Sequence, residues 1–360
     1  IGIKDQITLP PDFPQIMTFS LHRALRVSST TENIDIELIR AEKKNIYNEY
    51  RLNLPAHLRI FNLIYDGTID HPLEAYGKEQ AQGFRDSPGT ISSEGVYLAG
   101  STYWYPQFKG HEKLTFQLNA ILPGGWSAVS QGKGSQETRE GNLVEMNWES
   151  SSKQEEIFLI AAPFHQYHRV AGRVAAQVYL REPDEKLANK YLDATSLYLK
   201  MYEDLLGEYP YSKFALVENF WETGFGMPSF TLLGSKVIRL PFILHSSYPH
   251  EILHNWWGNG VYVDYASGNW CEGLTAYLAD HLIKEQRDQG VGHRQQSLQK
   301  YTDYALEGRD FSLANFSSRH SSASEAVGYG KAMMLFHMIR LELGDELFIK
   351  ALREFYEENR

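Results

Sequence analysis

The chain has 360 residues, 42% hydrophobic and 22% charged, which is ample apolar content for two or three domains of ordinary size. Lys and Arg number 35 against 45 Asp and Glu, a formal charge of −10; with no basic run to bind phosphates, this excludes a general nucleic-acid binder. No apolar stretch approaches the about 20 residues that span a bilayer, and a single cysteine, Cys271, excludes an intrachain disulfide and a thiolate metal cluster.

Residues 34–39 and 114–118 alternate apolar and polar side chains and predict strands. Asp66-Gly67 and Pro123-Gly124-Gly125 supply turns between such segments. The first half therefore predicts an antiparallel β-sandwich-like domain over residues 1–172. Residues 173–360 have a different character. A strand is expected at 178–180. Leu187, Tyr191, Leu192, Ala194, Leu197, Met201 and Leu205 then fall at helical spacing over 184–206, and a strand follows at 214–217. Helices are expected from Pro249 through His254, at 272–287, at 331–341 and near the end. The fold class is α+β multidomain, without internal repeats or low-complexity tracts. One cysteine fits the cytoplasm and also the periplasm. The first residue is Ile1 and not Met, so loss of an upstream segment is expected.

The chemistry concentrates in His250-Glu251-Ile252-Leu253-His254. Histidines four apart on a helix share a face, with Cβ atoms about 5–6 Å apart, so both imidazoles can reach one Zn²⁺ at about 2.0–2.1 Å. Glu251 can point at the open side of the metal, take a proton from water and return it to a leaving amine. Pro249 is tolerated in a first helical turn. A catalytic zinc normally has three protein ligands, and the third candidate is Glu272, with Cys271 and Asp264 as rivals. Such a pattern can also be two solvated or core histidines, with Glu272 an ordinary first-turn acid on a helix dipole.

These residues resemble the aminopeptidase N family of gluzincin metallopeptidases. His254-Asn255-Trp256-Trp257-Gly258-Asn259 is similar to the family's His-x-Trp-x-Gly-Asn continuation, and Trp270-Cys271-Glu272-Gly273 to its Trp-Leu-Asn-Glu-Gly. Tyr209-Pro210-Tyr211-Ser212-Lys213 with Ala215-Leu216-Val217-Glu218-Asn219 resembles the run into the Gly-x-Met-Glu-Asn exopeptidase motif, and Tyr329-Gly330-Lys331-Ala332 resembles Tyr-x-Lys-Gly. The likeness is strongest over residues 200–340. It implies a thermolysin-like α/β catalytic domain over 173–360, followed in the family by a helical domain beyond this chain. It implies one zinc per chain held by His250, His254 and Glu272, with Glu251 as general base and Tyr329 as oxyanion donor. It also implies peptide substrates with a free N-terminus, their ammonium held by Glu218, with Glu222 as a rival. The backbone of Ala215, Leu216 and Val217 becomes an edge strand that takes substrate by strand addition.

The chain departs from the family in three places. Seventeen residues separate His254 from Glu272, where the family has eighteen. The exopeptidase run lacks Gly and Met. The family's first-domain Gln-x-x-x-Thr-x-Ala-Arg segment has no counterpart near Gly100-Ser101-Thr102-Tyr103-Trp104-Tyr105-Pro106. An endopeptidase on the same scaffold and a non-catalytic peptide-binding scaffold are the competing readings.

Overall fold

The computed structural model of the chain describes residues 1–75, 85–110, 113–134, 138–306 and 308–360. Its first compact unit consists of residues 1–74 and 87–163. The paired strands of this unit are antiparallel. Ile60–Gly67 lies between Gly2–Thr8 and Leu25–Ser29, and Ile16–His22 and Tyr47–Asn53 form the middle of a four-stranded sheet. Period-two patterning explains the burial. In Ile60–Gly67 the side chains of Phe61, Leu63 and Tyr65 are buried, while Ile60, Asn62 and Ile64 are exposed. Phe61 and Leu63 share one core with Phe19, Leu21, Leu98, Val144 and Met146, drawn from four sheets. Full burial of each such side chain stabilises by about 1.5–3 kcal/mol.

The strand expected at 34–39 is Asp35–Ala41, but it buries little. It is an edge strand with a register shift between Leu38 and Arg40, and Leu38 is 52% exposed. A bulge of this kind breaks the alternation that a regular strand would follow.

The second unit contains residues 164–360. The expected division at 172 falls on the turn of a hairpin, at Gly172, between His165–Ala171 and Val174–Leu180; the observed one lies between Pro163 and Phe164. Five strands form its sheet in the order His165–Ala171, Val174–Leu180, Lys213–Asn219, Phe230–Gly234, Gly224–Met227. The three inner strands are parallel and the two outer ones antiparallel to their neighbours. Helix α1 (Glu185–Leu206) connects the first two parallel strands. Asp184 caps it by accepting the Leu187 N–H at 2.9 Å, and Ala188, Tyr191, Leu192, Thr195, Tyr198, Leu199 and Tyr202 form its buried stripe.

This topology corrects one expectation. Ala215, Leu216 and Val217 are not on an edge. Their strand is third of five, hydrogen-bonded on both sides, and all seven of its residues are buried. The edge is Gly224–Met227, folded back on Phe230–Gly234 through a turn at Pro228 and Ser229. Proline sets φ for the first turn position, and Ser229 takes φ 69° at the second, the geometry of a type II turn. Among the described residues no helix is long and apolar enough to cross a membrane.

Candidate active site

The short helix α2 (Ser247–Leu253) carries His250 and Glu251, and His254 closes it. Pro249 is the third helical residue, where a missing N–H costs no intrahelical bond. The two imidazoles lie 4.8 Å apart, ring to ring. Helix α3 (Cys271–Thr275) begins one residue before Glu272, whose Oε2 is 3.4 Å from His250 Nε2 and 3.6 Å from His254 Nε2. The ligand atoms of these three residues all lie within 4.8 Å of one another. Zinc–ligand bonds of about 2.0–2.1 Å at tetrahedral angles put neighbouring donors about 3.3–3.4 Å apart. Two imidazole nitrogens and one carboxylate at these spacings therefore fit a zinc ion with its fourth position open. The shortened link to Glu272 has not kept this group apart.

The rivals are engaged elsewhere. Asp264 caps the turn Tyr265–Ser267, accepting from the Ala266 N–H and the Ser267 hydroxyl. Cys271 Sγ donates to the Trp257 carbonyl at 3.0 Å and lies 3.4 Å from His254 Nδ1, the nitrogen turned away from Glu272. Glu222 accepts the Lys236 N–H.

Asp280 was not apparent from the sequence. Its Oδ2 lies 3.1 Å from His250 Nδ1, orienting the ring so that Nε2 faces Glu272. Asp280 is eight residues after Glu272, about 80° past two regular helical turns. The segment Ala276–His281 is π-helical and absorbs one extra residue, turning Asp280 back to the His250 side. Tyr329 also sits in a π-helical turn, Ala326–Lys331, with its ring near-parallel to that of His250 at 6.1 Å and its phenol under the influence of the Glu272 carboxylate.

Mutual charge, working against burial, sets the protonation of the group. Burial disfavours charge on His250, but the carboxylate of Asp280 and hydrogen bonds to Asp280 and Glu272 push it up to about 10. Burial likewise opposes ionisation of Glu272, yet His254 and His250 hold its carboxyl well below the usual range. Burial raises Glu251, with the two histidines pulling the other way, which suits a base that must also give its proton back. Burial and then Glu272 raise the Tyr329 phenol, and Arg319 opposes them, so the hydroxyl keeps its proton to donate.

The neighbouring edge strand touches this group. A Cβ on Gly226 would stand 2.3 Å from Glu251 Oε2 and 3.5 Å from His254 Cδ2, so glycine here leaves the Glu251 carboxylate its place beside the strand. Asn255 fixes the approach. Its Oδ1 accepts the Ser229 N–H at 2.7 Å and its Nδ2 donates to the Ile252 carbonyl at 2.9 Å, pinning the turn to α2.

Glu218, expected to anchor a substrate amine, is committed to other partners. Its oxygens accept from Arg239 at 2.7 Å and from the Arg181 N–H at 2.8 Å, and it is 1% exposed. In register Gly226, Thr231 and Leu216 form one row, and Glu218 lies two residues along from Leu216. Two strand spacings of about 4.8 Å and two residues of about 3.3 Å put its Cα roughly 12 Å from that of Gly226. The edge strand ends in Gly226-Met227, followed by Pro228 and Ser229 and by no carboxylate.

No family model matches the chain. Two curated relatives from Saccharomyces cerevisiae align over 51% of it. Alanine/arginine aminopeptidase is 26% identical and mitochondrial aminopeptidase 2 is 24% identical; the chain spans 24% and 21% of their lengths. Among solved structures, an M1 zinc metallopeptidase from Deinococcus radiodurans superposes with a TM-score of 0.68 at 18% identity, covering 99% of this chain and 82% of that one. Yeast LTA4 hydrolase gives 0.68 at 15% identity, covering 99% and 59%. With this fold, these relatives and the His-His-Glu group, the chain resembles the aminopeptidase N family of gluzincin zinc metallopeptidases.

Proposed function

We propose that the chain is the catalytic core of a zinc-dependent peptidase that releases N-terminal residues from peptides, with a sandwich-like first unit and a thermolysin-like second one. The single observation that carries this reading is the His250–His254–Glu272 group, with Glu251 beside it and donor spacings suited to tetrahedral zinc. His250, His254 and Glu272 would hold one zinc ion per chain. When bound, zinc polarises a substrate carbonyl and lowers the pKa of water to about 7. Glu251 accepts the proton of the attacking water and delivers it to the departing amine. The Tyr329 hydroxyl donates to the oxyanion that develops at the carbonyl. Among the described strands Gly224–Met227 is the last of its sheet, the position at which an extended peptide adds as a further strand.

The test is metal analysis combined with turnover. The native chain should carry one zinc and hydrolyse aminoacyl anilides. Glu251→Gln should keep the zinc and lose hydrolysis; full activity in that variant would refute the mechanism. A second reading, cleavage without regard to a free amine, is favoured by one observation: the carboxylate of Glu218 is already neutralised by Arg239. N-acetylated substrates separate the two, since an aminopeptidase rejects them.

A further inference from the structure

A buried lysine stands behind the turn that closes the edge strand, and the reaction above does not use it. Lys213 is the first residue of its strand and 2% exposed. Its Nζ donates to the Ser229 hydroxyl at 2.7 Å and to the Ser229 carbonyl at 3.2 Å, and lies 5.3 Å over the ring of Phe230. The lysine is itself anchored. Its carbonyl accepts from the Tyr209 hydroxyl at 2.9 Å, and the Tyr209 ring packs edge-on at 5.2 Å against Trp256, just beyond His254.

Ser229 is a residue that needs holding. Its φ of 69° lies in the left-handed region, where a side chain costs energy that glycine escapes. Its N–H donates to Asn255 Oδ1 at 2.7 Å, and its carbonyl also accepts the Ala215 N–H at 3.1 Å. Lys213 adds a grip on the hydroxyl, so backbone and side chain are fixed together. An ammonium on a long stem carries donors enough for both oxygens of one residue. The consequence falls on the strand before the turn. Met227 pairs with Phe230 across it, and Gly226 pairs with Thr231. If Ser229 leaves the left-handed region, the type II turn opens and this register is no longer fixed. Gly226 is also the residue beside Glu251 Oε2, so the same turn sets the strand against the proposed base.

We propose that Lys213 is a positioning residue for peptide substrates: through Ser229 it holds the strand Gly224–Met227 in the register that accepts an extended peptide. It acts through the turn and not by touching the substrate. The inference rests on the peptidase reading, with strand addition at that edge.

The test is equilibrium binding of penta-alanine amide to zinc-loaded Glu251→Gln protein. Two further probes carry a single N-methyl group, on the third or on the fourth residue. Along an added strand the backbone N–H groups face the partner at alternate residues, so one methylation should weaken binding about ten-fold more than its neighbour. Lys213→Met fills much the same space without a donor and should reduce that contrast to about two-fold. Ser229→Ala removes only the 2.7 Å contact and should fall between. Ser229→Gly in the Lys213→Met background should restore the contrast, because glycine takes the left-handed backbone without being held. A lysine that merely filled the core would not be rescued in this way. No contrast with Lys213 intact, a contrast undiminished in Lys213→Met or in Ser229→Ala, or no recovery with Ser229→Gly overturns the proposal. If Lys213→Met alone fails to fold, Ser229→Ala decides. Absent zinc-dependent hydrolysis by the native chain would refute the peptidase reading instead, and the methylation contrast, which needs no turnover, would still decide for or against Lys213.

Discussion

Replacing Gly226 with alanine separates the stability of this molecule from its chemistry. The new Cβ would stand 2.3 Å from Glu251 Oε2, against an ordinary carbon–oxygen contact about 1 Å longer. The next nearest atoms, Glu251 Cδ and His254 Cδ2, are both at 3.5 Å, an ordinary contact distance. The clash therefore falls on the end of one flexible side chain, which can rotate away at little cost to the fold. That side chain is the proposed base, and a displacement of about 1 Å at a reacting group lowers rate on the order of 100-fold. Gly226→Ala should melt within a few degrees of the parent and retain its zinc, while kcat/KM falls by about two orders of magnitude. The assay is initial-rate hydrolysis at matched zinc occupancy. Parental activity would refute the placement of Glu251 as base; loss of zinc would show that the strand positions the ligands and not the base.

Two further outcomes follow from the same geometry. Asp280→Ala removes the partner of His250 Nδ1 and should weaken zinc about 10–100-fold, read by competition with a chelator of known affinity; unchanged affinity would remove Asp280 from the site. The second concerns pH. His22 is pushed down from 6.5 to about 4 by burial, then by His71 and Arg23, and His281 is pushed down to about 4 by burial, with Glu285 opposing and Arg294 assisting. Both are depressed in the folded chain, so their stabilising effect is complete above about 6.5. Below that the unfolded chain takes up protons that the folded one refuses, and stability falls until about pH 4. Each contributes at most about 3 kcal/mol over that window. A His22→Gln, His281→Gln double variant should flatten the dependence of urea unfolding on pH between 6.5 and 4; an unaltered slope would contradict the assignment.

The parts legible in the sequence were those governed by local periodicity. The His250–His254 spacing names two nitrogens on one helical face without any tertiary information, and the stripe from Leu187 to Leu205 marks α1 almost to the residue. The misplaced parts depend on pairing. Residues 213–219 are apolar enough for either an edge or a centre, and only the hairpin at Pro228-Ser229 puts Gly224–Met227 outside them. The place of Glu218 in the Ala215–Asn219 run carries no information about its partner Arg239, twenty-one residues on. Asp280 escaped notice because an α-helical count places it on the wrong side.

The two π-helical turns have a meaning for how such a chain changes over generations. Each stores one surplus residue inside a helix, at Ala276–His281 and at Ala326–Lys331. A single-codon deletion in either turn would let the helix relax to ordinary pitch and swing what precedes or follows by about 100°, carrying Asp280 or Tyr329 off His250. Substitutions in these turns can be mild while deletions are ruinous, so natural variants should drift in residue type there and hold their length.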